Sequence, residues 1–490
     1  MSDSILSEAS SSSSSAATGN CASCGGPAAT RCADCKLVFY CTKEHQRSHW
    51  PSHKSACRAY EVRDNEELGR HLVATRDLDA DDLILSELPI VWGPSYHAES
   101  SVCVGCGIKD VFMRCPGCKW PACKITCPGL ADDERHKFEC KILAAARLLP
   151  RCENLLILRA LILQRRNPKR WKTLTKLESH EEKRGPGTDA YEEMRLVAEY
   201  FGPMLALDAG ASEVLAKVCG LVDVNALETN PPEGSAAIYE VACLLEHRCI
   251  ANTRHTFVVD EHGRPRIKVI AVKPIKKGEH LSTTYTHALW STRSRREHLR
   301  ATKYFACKCE RCSDRTELGS HMGSLKCPCG NGWMTPEEPL AENSEWSCDK
   351  CPGVLSTKEV AQLFDRLGEE VEAAMSGPDT EILTDLLFRL EVLLHPCHQH
   401  CITVSHTLLQ MLEPDDPKKA ELCQRMIDLF EIVDPYGARL AIYQVIALRE
   451  LSLCPDQDRK ALLTRAMEIL RYEPPKSPGA VLSNIILQEV

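Results

Sequence analysis

Three phrases decide the fold of this chain: Leu245-Glu246-His247-Arg248-Cys249-Ile250-Ala251-Asn252, Gly278-Glu279-His280-Leu281-Ser282-Thr283-Thr284-Tyr285, and Tyr304-Phe305-Ala306-Cys307-Lys308-Cys309-Glu310-Arg311-Cys312. All fall in the stretch from Ala236 to Cys312. Between the first two, Phe257-Val258-Val259-Asp260 and the run Ile267 to Val272 flank Glu261-His262-Gly263-Arg264, which predicts a hairpin. Taken alone, Tyr285 closes an apolar run and reads as an ordinary strand residue.

Together and in this order, the phrases resemble the catalytic half of a SET domain. The family's pattern is Asn-His-Ser-Cys-x-Pro-Asn, then Gly-Glu-x-(hydrophobic)-x-x-x-Tyr, then a post-SET Cys-x-Cys-x2-Cys. Glu246, Arg248 and Ala251 stand where Asn, Ser and Pro are usual. The resemblance implies that Tyr285 sits at a methyl-transfer junction. It also implies that Cys249 joins Cys307, Cys309 and Cys312 around one zinc, which folds the post-SET segment over the site; four thiolates are the closed set of a structural zinc. A lysine amine is unreactive while protonated, so such a site must receive a neutral amine aimed at the methyl donor. A tyrosine hydroxyl can orient that amine and its ring can face a cation.

The composition fits this reading. At 490 residues the chain holds several domains, and its 43% hydrophobic and 26% charged content excludes a wholly disordered or membranous protein. No run of about 18 apolar residues occurs and the start lacks an apolar leader, so a cytoplasmic and/or nuclear protein is expected. In a reducing compartment, the 28 cysteines at paired spacings read as metal ligands rather than disulfides. A net charge of -8 argues against a dedicated nucleic-acid binder.

From the N-terminus, residues 1–20 are Ser- and Ala-rich and read as a disordered tail. Then Cys21, Cys24, Cys32, Cys35, Cys41, His45, His53 and Cys57 follow at intervals of 2, 7, 2, 5, 3, 7 and 3 residues. Eight ligands make two four-ligand sites, in a segment too short to fold without metal. The string resembles a MYND zinc finger, whose cross-braced pairing implies Cys21, Cys24, Cys41 and His45 on one zinc and Cys32, Cys35, His53 and Cys57 on the other. The second string, Cys103, Cys106, Cys115, Cys118, Cys123, Cys127, His136 and Cys140, repeats it at intervals of 2, 8, 2, 4, 3, 8 and 3. This is an internal repeat of a zinc module, and the second copy stands where the family carries its MYND finger.

Between the modules, residues 58–102 are β-rich. Leu68-Gly69-Arg70-His71-Leu72 resembles the first SET motif, a Gly-x-Gly that lets the backbone approach S-adenosyl-L-methionine, with His71 at the second Gly. Residues 141–220 show helical spacing at Leu143, Ala146, Leu148, Leu155, Leu158, Leu161 and Ile162, broken at Arg184-Gly185-Pro186-Gly187. Val224-Asn225-Ala226-Leu227 resembles a strand whose Asn contacts the cofactor. Ser291 to Tyr304, with Arg293, Arg295, Arg296 and Arg300, reads as a basic surface helix. Cys327-Pro328-Cys329-Gly330 and Cys348-x2-Cys351 resemble a zinc ribbon. From Ser356 onward the pattern is helical, broken at Gly377-Pro378, Pro396, Pro414 to Pro417, Pro435, Pro455 and Pro474-Pro475, which suggests a tetratricopeptide-like array. The remaining cysteines, Cys152, Cys219, Cys243, Cys397, Cys401, Cys423 and Cys454, read as small buried hydrophobes.

The expected fold is α+β and multidomain: a β-rich SET core (58–102 and 221–290) split by a second MYND-like module (103–140) and a helical insert (141–220). A MYND finger (21–57) precedes it; a post-SET zinc segment (291–315), a ribbon-like insert (316–355) and an all-α C-terminal array (356–490) follow. The whole resembles the SMYD family, most of all its arthropod SmydA-type members. That implies a protein-lysine N-methyltransferase using S-adenosyl-L-methionine and zinc, acting on histone or other protein in transcriptional regulation, with Tyr285 catalytic and Gly69, Arg70, Asn225, Glu246, His247 and Phe305 holding the cofactor. Proline-rich peptides are the implied ligands of the MYND finger. The alternative is a catalytically weak adaptor that binds partners through its zinc modules and helical domain.

Overall fold

The computed structural model describes residues 19–32, 38–94, 102–109, 111–132, 135–145, 154–205, 211–475 and 477–489. Residues 1–18, Cys35, Ala146, Leu148 and Cys152 lie outside the described residues. Gly19 and Asn20, read as the end of a disordered tail, instead pair with Pro27 and Ala28 as a small strand. The thiol of Cys21 follows directly, so the chain must be ordered just before it.

The core forms where alternation is strict. In Pro265–Ala271, Ile267, Val269 and Ala271 turn inward while Lys268 is exposed, the period of a strand with one face in a core. This strand lies between Thr253–Val259 and Leu83–Glu87, antiparallel to both. The hairpin turn is closed by Asp260, whose carboxylate accepts from the amides of His262 and Arg264, and by Gly263 at φ +75°. A second sheet places Ser235–Ile238 between Leu227–Thr229 and Val91–Pro94. Tyr60–Asn65 pairs with Gly69–Ala74 across a tight turn in which Asn65 Oδ1 accepts from the amides of Glu67 and Leu68.

The pairing that positions the site is short and parallel: Glu246–His247 lies beside Ser282–Thr283, with Glu246 opposite Ser282 and His247 opposite Thr283. Two residues could not hold this register unaided. Buried Asn252 does so: its Oδ1 accepts from Ser282 N at 2.8 Å and Ser282 Oγ at 3.0 Å, and its Nδ2 donates to His280 O at 2.7 Å.

The insert is helical, with Asn154–Arg166, Pro168–Leu174, Asp189–Leu205 and Ala211–Asn225 packed around Leu158, Leu174, Leu215 and Leu221. Asn225 is therefore the last residue of a helix and not part of a strand; the strand begins at Leu227. Its Nδ2 donates to Leu221 O four residues back, a helical geometry, and to Glu178 O. Cys327, Cys329, Cys348 and Cys351 lie in and beside a four-stranded antiparallel sheet.

The C-terminal region forms the helices Thr357–Met375, Thr380–Leu393, Gln399–Met411, Pro417–Val433, Ala441–Ser452, Arg459–Leu470 and Pro478–Glu489. Each break falls at a proline or glycine named above. Four of the starts carry acidic or hydroxyl caps: Ser356 and Glu359 form a reciprocal capping box, while the carboxylates of Asp379, Asp416 and Asp458 accept from first-turn amides. One apolar core runs through these helices and on into the ribbon through Met334 and Trp346.

Candidate functional site

One cleft of about 1610 Å³ gathers residues from far apart in the chain. Its walls include Gly69, Arg70 and His71, then Asn225, then Glu246 and His247, then Tyr285, then Phe305, and finally Arg439 and Glu473 from the connections between the C-terminal helices. All seven residues read from sequence as catalytic or cofactor-holding thus face one cavity. The register of the short parallel pair brings His247 beside Tyr285, whose amide donates to His247 Nδ1 at 3.0 Å. With Nδ1 accepting, a neutral ring carries its proton on Nε2, which faces Cys249 Sγ at 3.5 Å. Burial holds His247 down at about 4, so the imidazole is neutral at physiological pH.

Tyr285 donates its hydroxyl to Leu245 O, and burial pushes its phenol above the usual tyrosine range. It is therefore a neutral hydroxyl and not a phenolate base. The ring centroids of His247 and Tyr285 lie 5.3 Å apart and those of Tyr285 and Phe305 6.4 Å apart, edge to face. Phe305 is 38% exposed, so this aromatic throat opens outward.

The donor end of the cleft suits a nucleoside-bearing cation. Gly69, at φ +60°, has open space where a Cβ would stand, so a ligand can lie against the backbone there. Thr283 lines the same cleft, and its buried Oγ1 has no hydrogen-bond partner among the described residues. Arg70 is less free, since its guanidinium donates to Lys176 O. Glu246 is paired: its Oε2 lies 2.7 Å from His280 Nδ1. The His280 ring in turn lies 4.6 Å from that of His71, and His71 Nδ1 is 2.9 Å from Gly69 O. Two of the four departures from the expected pattern, Glu246 and His71, are thus joined through a third residue that sequence reading passed over.

The thiol clusters carry the rest of the chemistry. Ligand atoms lie within 4.8 Å of one another in each of five sets. These are Cys21, Cys24, Cys41 and His45; Cys103, Cys106, Cys123 and Cys127; Cys115, Cys118, His136 and Cys140; Cys249, Cys307, Cys309 and Cys312; and Cys327, Cys329, Cys348 and Cys351. Soft donors in fours, closed on themselves, fit zinc. Of the remaining MYND set, Cys32 and Cys57 are 3.4 Å apart at sulfur, His53 is buried nearby, and Cys35 lies outside the described residues.

Two clusters are braced from outside. In the second module, His136 Nδ1 meets Glu139 Oε1 at 3.2 Å, and Arg159 clamps that carboxylate at 2.8 and 2.9 Å while donating to Trp92 O and Val104 O. Beside the post-SET thiols, the helix Thr292–Lys303 is not the surface helix its charges suggested. Arg295 is fully buried: Nε donates to Cys249 Sγ at 3.1 Å, and the other nitrogens reach Cys312 Sγ at 3.5 Å and Glu317 Oε2 at 2.8 Å.

The MYND finger family matches residues 21–57 and the SET domain family residues 69–286. The chain is 28% identical over 318 residues to the SET domain-containing protein SmydA-8 (isoform A) of Drosophila melanogaster, covering 61% of this chain and 66% of that protein. Isoform B is 29% identical over 332 residues, covering 63% and 70%. N-lysine methyltransferase SMYD2 of Homo sapiens is 24% identical over 259 residues, covering 50% and 58%. Among solved structures, the SET domain of LSMT bound to lysine and AdoHcy is similar over 90% of this chain and 91% of that one, at 13% identity and a TM-score of 0.33.

Proposed function

Since the chain belongs to the SET-and-MYND-domain proteins, we propose that it is a protein-lysine N-methyltransferase that uses S-adenosyl-L-methionine. The observation that carries this is the meeting of His247, Tyr285 and Phe305 in one cleft with the open backbone at Gly69. S-adenosyl-L-methionine supplies the methyl group on a cationic sulfur. Gly69, Glu246, His247, Asn225 and Thr283 are the residues that would hold it, and Phe305 closes the aromatic side.

The chain's own part is to deliver a neutral amine. The throat of His247, Tyr285 and Phe305 offers little solvation to an ammonium, which lowers the cost of shedding its proton. Because the Tyr285 hydroxyl gives its proton to Leu245 O, its lone pairs are left to accept from an amine N–H. That contact orients the amine while its nitrogen lone pair stays free to attack. Zinc on Cys249, Cys307, Cys309 and Cys312 would hold the segment that follows Phe305 and so keep its ring in place.

The substrates we propose are lysines of histone or other proteins in transcriptional regulation, in the cytoplasm and/or nucleus, with proline-rich peptides recruited by the MYND finger. Among the described residues no helix is long and apolar enough to cross a membrane. The test is methyl transfer from labelled S-adenosyl-L-methionine to histone octamers and to a proteome extract, with the lysines mapped by mass spectrometry. Tyr285→Phe should keep cofactor binding and lose roughly 100-fold in transfer. Equal transfer by wild type and variant removes Tyr285 from the chemistry; no binding and no transfer by wild type leaves the adaptor reading.

A further inference from the structure

We propose that Glu246, His280 and His71 act as one unit that makes the cleft prefer a cationic methyl donor over its neutral demethylated product, with Glu246 as the charged group and His280 as the positioning residue. The inference rests on the reading of the cleft as a methyl-donor site. S-adenosyl-L-methionine and S-adenosyl-L-homocysteine share the adenosine and the amino-acid end. They differ by one methyl and one unit of positive charge at sulfur, so a pocket that tells them apart by charge needs an anion facing that end.

Glu246 is the carboxylate we assign to that role. It lines the cleft, its side chain is only 8% exposed, and among the described residues no buried cation neutralises it: the nearest guanidinium, Arg248 Nε, is 3.6 Å from Oε1 on a side chain 53% exposed and screened by solvent. A carboxylate held largely out of water acts over several ångströms with little screening. Its direction is set by His280, whose Nδ1 meets Oε2 at 2.7 Å, and whose ring lies at 4.6 Å and 32° against His71. His71 is itself fixed, 3% exposed with Nδ1 on Gly69 O. His280 is pinned from behind by its own carbonyl, which accepts from Asn252 Nδ2. Three strand segments far apart in the chain thus support one carboxylate.

The experiment is isothermal titration of the full chain with S-adenosyl-L-methionine and with S-adenosyl-L-homocysteine, for wild type, Glu246→Gln, Glu246→Asp and His280→Gln, with thermal melts to show that each is folded. Wild type should favour the cation. In Glu246→Gln that preference should fall about tenfold while affinity for the neutral ligand moves little. His280→Gln should erode it less, because the carboxylate remains but is less well held, and Glu246→Asp should restore part of it. If Glu246→Gln weakens both ligands equally, or leaves their ratio unmoved, the unit has no role in selectivity and the inference fails alone. If wild type binds neither ligand, the proposed function fails and the inference with it.

Discussion

Arg295 shows how a single residue can be misread from charge alone. Four arginines within eight positions of a helix suggest a solvated face, and nothing local contradicts that. Its partners come from elsewhere: Cys249 lies 46 residues upstream, Cys312 and Glu317 17 and 22 residues downstream. A cluster of four thiolates around a divalent ion carries excess negative charge, and the buried guanidinium offsets it while fixing two sulfurs. Arg295→Met should lower zinc affinity at this site by about tenfold or more, read as faster zinc release to a colorimetric chelator. Arg295→Lys should not rescue it, since one ammonium cannot serve two sulfurs and Glu317 in a fixed fork. The ligand cysteines themselves were legible because zinc chemistry writes its spacing into the chain, whereas a buried cation leaves no spacing to read.

Among elements, the parallel pair Glu246–His247 and Ser282–Thr283 has only two residues on each side to hold it, and it sets His247 beside Tyr285. Asn252 compensates with its side-chain amide, and Asn252→Ala should destabilise the chain by about 2–4 kcal/mol, since buried Ser282 N and His280 O lose their partner. Urea unfolding with unchanged slope would measure it. The hairpin at Glu261 to Arg264 and the helix breaks at prolines were visible beforehand, because turn and breaker residues act locally. The end of the helix Ala211–Asn225 was not. Val224-Asn225-Ala226-Leu227 straddles a helix-to-strand junction, and its local pattern carries neither period long enough to decide. Element content also bears on metal: whole-chain analysis should return about six zinc ions, two per MYND-like module, one post-SET and one in the ribbon.

At the scale of the whole molecule, the cleft is assembled from the strand at Gly69 through to Glu473 of the helical array, a span that no sequence window could show. The array was legible as helices, but not its contribution to the cleft wall. It also stores acid sensitivity. Burial, with His321 and Arg425 nearby, holds His395 down at about 3, and fully buried His398 is lowered as well. Both are neutral in the folded chain and take up protons on unfolding once pH falls below about 6.5. Stability is therefore intact above that value and declines as pH drops toward the folded-state values, by about 2 kcal/mol at pH 5 for His395. Urea midpoints at pH 7.5 and pH 5 should differ by less in His395→Asn than in wild type, a comparison that cancels the protonation of thiolates.

The bond from Glu139 to His136 and Arg159 has a consequence for how such a chain can be inherited. The two zinc modules share a ligand rhythm, as copies would, yet in the second copy one carboxylate serves both a metal ligand and a helix of the insert. A module tied in that way cannot be exchanged as a cassette: a transplanted copy without Glu139 would leave Arg159 buried and unpaired, and a new host without Arg159 would strand the carboxylate. The second finger and the insert helix that carries Arg159 therefore depend on each other, and exchanging either alone would leave a buried charge without its partner.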